Sequence, residues 1–96
     1  MASTIDEITI EYVDQDVVTI KQLDKVVLTK GAWTTIMFEY QDWDKRKEEY
    51  GPIKYSIRRY QKKNNEYRAK SKFNISNKEQ AQKIIAVLTK WIEAKN

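Results

Sequence analysis

The chain has 96 residues, a formal net charge of +4, 41% hydrophobic residues and 11% aromatic residues. This length fits one domain, and the apolar content is too high for a disordered chain. The sequence contains no cysteine and no histidine, which excludes disulfides, thiolate metal sites and the commonest general base.

From the same composition we expect no metal and no other cofactor. No apolar run approaches the ~20 residues of a membrane span, and the first residues do not resemble a signal peptide. The sequence therefore predicts a soluble cytoplasmic protein with no membrane partner.

Charge is divided unevenly along the chain. Residues 1–44 hold three basic and nine acidic residues, a net charge of −6, whereas residues 45–96 hold fifteen basic and five acidic residues, a net charge of +10. Such a split favours a basic surface that binds a polyanion, with the acidic part facing elsewhere. The alternative is a charged surface that serves solubility alone.

The first half of the chain has the composition of β-strands. Its β-branched and aromatic runs lie at 8–13, 17–20, 25–31 and 32–43. The polar turn at 14–16 separates the first two runs, and Gly31 predicts a bend before the last one. In that last run, alternation places Trp33 on the face opposite Ile36 and Phe38. Residues 1–17 form an acidic N-terminal arm or an extra strand, and residues 18–96 form one sheet-plus-helix domain.

The second half predicts two more strands and a helix. A polar connection at 44–52 precedes strand patterns at 53–61 and 67–75. Ser76 and Glu79 fit a capping box at a helix start. Apolar residues then recur at helical spacing, at Ala81, Ile84, Ile85, Leu88, Trp91 and Ile92. The predicted fold class is α+β, with four to five strands followed by one C-terminal amphipathic helix.

The stretch 54–72 holds eight basic residues, one glutamate and three tyrosines. A two-residue turn would pair Ile57 with Lys72 and mix polar and apolar residues on both faces. A loop with an odd number of residues would pair Ile57 with Ser71 and gather the apolar side chains on one face. Because register decides which face each side chain occupies, we predict the odd loop.

In that register the other face of the hairpin is cationic. Its predicted cross-strand pairs are Tyr60 with Arg68, Arg58 with Lys70, and Ser56 with Lys72, with Lys54 at the end. Like charges directly opposite each other are unfavourable by up to about 1 kcal/mol per pair, a cost that a face with alternating charges would avoid. The alternative is a solvated face whose long lysine side chains splay apart. Cations interleaved with aromatic rings are typical of single-stranded nucleic-acid binding.

We therefore predict a nucleic-acid-binding site, with single-stranded DNA or RNA as the partner. Its residues are Lys54, Arg58, Tyr60, Arg68, Lys70, Lys72, Trp33 and Lys30. The alternative function is a protein–protein adaptor or inhibitor that docks an acidic partner through the same basic sheet.

Catalysis finds little support in the sequence. The paired carboxylates, such as Asp42 and Asp44, lie in polar connections, whereas general acid–base catalysis needs a group with a perturbed pKa. The two glycines, Gly31 and Gly51, cannot form a glycine-rich phosphate loop. We predict a protein that is not an enzyme and that has no small-molecule substrate.

The apolar stripe of the predicted helix is longer than one small sheet needs. If Ile85 and Leu88 cover the sheet, Trp91 and Ile92 still require burial. A two-fold interface would bury them, so we predict a homodimer whose interface includes Leu88, Trp91 and Ile92.

Three short motifs resemble the family of the transcriptional coactivator positive cofactor four and its bacterial relatives. They are Ile-Arg-Arg-Tyr at 57–60 before a basic hairpin, Asn-Lys-Glu-Gln at 77–80 opening the helix, and Lys-Gly-Ala-Trp at 30–33. The resemblance covers roughly residues 20–92. It implies a curved antiparallel sheet with a C-terminal helix, a dimer, and single-strand binding along the sheets in transcription or DNA maintenance.

Carried over by position, the resemblance implies that Arg58, Tyr60, Lys70 and Lys72 contact the strand, with Trp33 nearby. The chain departs from the family pattern at two places. The family's glycine after the basic pair is Phe73 here, and its tryptophan at the helix start is Ala81. Base stacking would then fall to Trp33, Tyr60 or Tyr67.

The acidic residues 1–17 have no counterpart in the family pattern. Their charge is opposite to that of the basic stretch at 54–72. We expect this arm either to add a strand to the sheet or to lie over the basic face as a mask.

Overall fold

A computed structural model of the protein describes residues 2–95, and they form a curled antiparallel sheet followed by one helix. The elements after a short 3-10 turn at Ile5–Glu7 are β1 (Tyr12–Asp14), β2 (Val17–Thr29), β3 (Trp33–Asp44), β4 (Glu49–Tyr50), β5 (Lys54–Lys63), β6 (Glu66–Ile75) and α1 (Lys78–Ala94). Five strands follow one another in the order β1-β2-β3-β5-β6, and β4 pairs with β3. The predicted α+β class, a curved antiparallel sheet with a C-terminal helix, is confirmed.

Strand boundaries differ from the prediction in the first half of the chain. The run at 17–20 and residues 25–29 of the next run belong to one strand, β2, whose pairing with β3 shifts register at two places. Such bulges bend a strand and increase its twist, which suits a curled sheet. The turn before β2 places Gln15 and Asp16 at positive φ, 50° and 65°.

One face of the sheet carries the core, and we call it the covered face. It is built from the even-numbered residues of β3 and β5, among which Ile36, Phe38 and Tyr60 are buried. Residues 2–10, the N-terminal segment, lie against this face. Their side chains Ile8 and Ile10 are only 4% and 7% exposed. Burial of this kind contributes about 1.5–3 kcal/mol for each fully buried isoleucine.

Hydrogen bonds also fix the N-terminal segment to the sheet. The ammonium of Lys25 on β2 donates to the carbonyls of Ile5 (2.6 Å), Asp6 (3.3 Å) and Ile8 (2.8 Å). The amide of Tyr67 on β6 donates to the carbonyl of Ala2 at 2.9 Å. The segment therefore crosses the covered face between β6 and β2, while residues 12–14 pair with β2 as the extra strand β1.

The other side of the sheet, the open face, carries an apolar row. Cross-strand pairing aligns four side chains over β2, β3, β5 and β6, namely Val26, Met37, Ile57 and Phe73. Two of them, Val26 and Phe73, are about half exposed. In the described part of the chain this row therefore has no layer packed over it that excludes water.

The helix begins one residue later than predicted. Asn77, not Ser76, is the N-cap, and its side chain accepts from the amide of Gln80 at 2.8 Å. The amide of Ser76, the residue before the cap, donates to the side chain of Gln80 at 3.0 Å, so that Gln80 ties the chain before the helix to its first turn.

The helix does not cover the sheet. None of its described residues is buried, and Ile85 and Trp91 are both 62% exposed. The prediction that Ile85 and Leu88 cover the sheet is therefore wrong for the single chain. No helix within residues 2–95 is long and apolar enough to cross a membrane.

Candidate nucleic-acid interface

The basic hairpin turns through two residues rather than an odd loop. Asn64 and Asn65 both adopt positive φ, 54° and 63°, and Lys63 pairs with Glu66. Two-residue hairpin turns with positive φ at both positions match the twist of the strands, and asparagine tolerates this conformation. The predicted odd loop is wrong.

A bulge in β6 then places the apolar side chains of the hairpin on one face, as the odd loop was predicted to do. Between the pairs Tyr60–Ala69 and Arg59–Ser71 the register shifts, which leaves Lys70 as the extra residue of β6. Beyond this bulge the apolar pairs are Ile57 with Phe73 and Tyr55 with Ile75. The apolar residues are gathered on one face by an irregularity inside the strand, not by the length of the loop.

The new register changes the partners of the predicted site residues. The observed pairs are Tyr60 with Ala69, Arg58 with Lys72, Ser56 with Asn74 and Gln61 with Arg68. The predicted pairs Tyr60–Arg68, Arg58–Lys70 and Ser56–Lys72 are therefore wrong.

The structure brings together only some of the predicted residues. Four of them share the covered face. Three are alternate residues of β5, and the fourth is paired with Arg58 on β6; they are Lys54, Arg58, Tyr60 and Lys72. Arg68 belongs to the register of the open face, with Gln61 and Trp33, while Lys70 lies at the bulge. Lys30, in the β2–β3 connection, faces the N-terminal segment together with Lys62 and Tyr67.

Arg58 and Lys72 are the two predicted cations that lie directly opposite each other on neighbouring strands. The Arg58 side chain donates from Nε to the hydroxyl of Ser56 (3.1 Å), which in turn donates to the amide oxygen of Asn74 (2.7 Å). This chain orients the guanidinium on an interior strand. Arg58 is half-buried and Lys72 is exposed.

Neither cation of that pair is neutralised within residues 2–95. The ion pairs formed there are Lys54–Asp42 at 2.9 Å and Arg68–Glu66 at 3.7 Å. The carboxylate of Asp42 raises the pKa of Lys54, so that Lys54 is already paired. Arg58 and Lys72 have no carboxylate within 4 Å in the described chain. Their two positive charges therefore add to the local positive potential and repel each other.

Tyr60 belongs largely to the core. Its side chain packs in the cluster with Ile8 and Ile36 and is 7% exposed. Burial raises the pKa of the Tyr60 phenol, and the nearby Arg58 opposes that shift. The phenol is therefore neutral at ordinary pH, and most of the ring is buried and does not offer a stacking surface.

A groove separates the N-terminal segment from β6. It has a volume of about 620 Å³ and is lined by Ala2, Glu7, Ile8, Thr9, Tyr60, Tyr67, Arg68 and Ala69. One wall comes from residues 2–9 and the other from residues 60–69. Because these segments are distant in the sequence, the local residue pattern of neither segment predicts the groove.

The acidic residue that lines this groove, Glu7, already accepts hydrogen bonds from its own segment. The carboxylate of Glu7 accepts from the hydroxyls of Ser3 (2.8 Å) and Thr4 (3.0 Å) and from the amides of both residues. These hydrogen bonds lower the pKa of the Glu7 carboxyl. Glu7 thus closes its own turn and makes no ion pair with the sheet.

The open face carries a second aromatic–cation arrangement. The guanidinium carbon of Arg59 lies 4.6 Å from the ring centroid of Trp33, whose side chain remains 42% exposed. Arg59 was not among the predicted site residues, because only the β3–β5 register brings it over the indole. Guanidinium groups over aromatic faces are common and are worth about 0.5–1 kcal/mol at exposed sites.

Comparisons of the chain with models of protein families, with curated proteins and with solved structures find no match. The resemblance to the positive cofactor four family accordingly rests on the motifs at 30–33, 57–60 and 77–80.

Proposed function

We propose that the protein binds single-stranded DNA or RNA, without catalysis, by neutralising phosphates on β5 and β6 and by stacking bases on aromatic rings. The observation that supports this best is the Arg58–Lys72 pair. Two cations directly opposite each other on neighbouring strands destabilise a fold, and these two have no carboxylate within 4 Å in the described chain. A phosphate between them would accept hydrogen bonds from both and remove the repulsion.

Protection of the sheet edge gives a competing reason for some of these cations. β6 is the last strand of the sheet, and lysines and bulges on edge strands discourage pairing with other chains. Edge protection could explain Lys70 and Lys72, which lie on β6. It does not cover Arg58, which lies on β5 between two paired neighbours.

Replacing Arg58 and Lys72 together by glutamine should flatten the salt dependence of single-strand binding. Each phosphate contact contributes about −0.7 to the slope of log K against log salt concentration. The double variant should therefore lose about 1.4 units of slope. Fluorescence anisotropy of a labelled oligothymidylate, titrated at several salt concentrations, measures this slope.

The matched control replaces Lys45 and Lys47, which are exposed in the β3–β4 connection, by glutamine. It changes the net charge of the protein by the same amount without touching the hairpin. A slope for the Arg58/Lys72 variant equal to that of the native protein would contradict the proposed function. An acidic protein partner that competes with the oligonucleotide would instead favour the adaptor function.

Trp33 lies on the open face, opposite to the Arg58–Lys72 pair, so that replacing it by alanine tests whether the bound strand also contacts that face. If the strand does, affinity should fall while the slope stays the same. A lost base stack weakens binding by about 1–3 kcal/mol, while no phosphate contact disappears. The same anisotropy titration checks both quantities, and Trp33→Phe should restore most of the affinity because it keeps a ring. A lower melting temperature with unchanged binding would show that Trp33 serves packing instead.

The helix supports a further part of the proposal, a homodimer. The residues Leu88, Trp91 and Ile92 are all exposed in the single chain and form one stripe on α1. Exposed apolar surface of this extent marks an interaction site, and a second copy of the chain presents the same stripe in a two-fold arrangement.

A further inference from the structure

We propose that the groove between the N-terminal segment and β6 holds one unpaired nucleobase of a bound strand, and that residues 2–9 are a wall of the binding site rather than a mask over it. This inference rests on the proposed function and adds to it the part of the ligand that the groove recognises.

The position of the groove relates it to the unneutralised cations. Tyr60 and Ala69 are among its lining residues, and Arg58 lies two residues from Tyr60 on the same face of β5. Two residues of a strand span about 7 Å, so that a phosphate on the Arg58–Lys72 pair and a base in the groove could belong to neighbouring parts of one strand.

The lining of the groove suits a planar, mostly apolar ring. Tyr67, which is half-buried, supplies the aromatic surface, while Tyr60 and Ile8 contribute only the small exposed part of their side chains. Ala69 is exposed and lies directly opposite Tyr60. A small side chain at that position leaves the space open that a larger one would fill.

The two glutamates of residues 2–16 do not act as a phosphate mimic. Glu7 is bonded within its own turn, and Glu11 accepts from the amide of Gln22 at 3.3 Å. No residue of 2–16 forms an ion pair with a cation of the sheet in the described chain. A mask that competes with phosphate would make such pairs.

The segment is also too well anchored to move aside at little cost. Ile8 and Ile10 are part of the core, and Lys25 bonds three of its carbonyls. A fixed wall agrees with these contacts better than a displaceable cover does.

The variant Ala69→Trp tests the groove, because it fills the space from an exposed position. Two probes are compared, a 20-nucleotide oligothymidylate and an abasic strand of the same length. We expect Ala69→Trp to weaken oligothymidylate binding at least tenfold, to leave abasic binding unchanged and to keep the native salt slope. Ser71→Trp, which belongs to the register of the open face on the same strand, should keep the native preference for oligothymidylate.

A native preference for oligothymidylate in Ala69→Trp would overturn the proposed base site. If Ala69→Trp does not fold, Ala69→Leu partly fills the same space and should reduce the preference in the same direction. Failure of the native protein to bind either probe would instead contradict the proposed function, as would an unchanged slope in the Arg58/Lys72 variant.

The variant Lys25→Met distinguishes an N-terminal segment that forms a wall of the binding site from one that masks the site. It removes the three hydrogen bonds to the segment but keeps most of the aliphatic side chain, and a melting curve checks that the fold survives. A loosened wall should weaken oligothymidylate binding relative to the abasic strand. Tighter binding of both probes would show that the segment is a mask and would overturn this inference.

Discussion

Replacing Ile8 by alanine is expected to lower the free energy of unfolding by about 2–5 kcal/mol, the range for large-to-small substitutions in a core. Ile8 is 4% exposed and packs with Ile36, Phe38 and Tyr60. Because small domains have a total stability of only about 5–15 kcal/mol, this single change would remove a large fraction of it. Urea denaturation followed by tryptophan fluorescence measures the effect.

The matched control is Ile53→Ala, since Ile53 is 41% exposed and precedes β5. It deletes the same atoms from a position that water already reaches, and it should cost less than about 1 kcal/mol. If the two variants lose equal stability, the N-terminal segment does not belong to the core.

Replacing Leu88 and Trp91 together by glutamate is expected to convert the proposed homodimer to a monomer. Both side chains lie on the exposed stripe of α1, and a two-fold interface would bury four carboxylates without partners. Burial of unpaired charge is strongly unfavourable, so that the monomer should prevail at micromolar concentration. Light scattering should give twice the chain mass of 11.5 kDa for the native protein and the single-chain mass for the variant.

Ala86→Glu is the control for that experiment. Ala86 is exposed and lies on the opposite side of the helix from the stripe, so its carboxylate would remain in water in a dimer. This variant should keep the native mass. A native protein that is already a monomer at micromolar concentration would contradict the proposed homodimer.

The secondary structure and the fold class could be predicted from local pattern. Alternating apolar residues over 32–43 and helical spacing from Ala81 to Ile92 are consequences of backbone geometry within a few residues. Those elements are present as β3 and α1. The helix start was misplaced by one residue because Ser76 and Asn77 are both good caps, and only the backbone conformation selects between them.

The candidate site could be predicted only in part. The basic composition of 54–72 identified the hairpin, but the pairing of Arg58 with Lys72 depends on the turn at 64–65 and on the bulge at Lys70. A bulge inserts one residue and reverses the faces beyond it. Reading one uniform register along the hairpin therefore gave the wrong cross-strand partners.

An acidic arm, a β-rich middle, a basic hairpin and an amphipathic helix follow from local sequence, because each of these is a property of neighbouring residues. Long-range packing alone places Ile8 in one cluster with Tyr60 and brings Lys25 to the carbonyls of Ile5, Asp6 and Ile8. It also left the helix stripe exposed. The physical reason is that periodicity reports which side of an element is apolar, whereas burial depends on which distant surface meets that side.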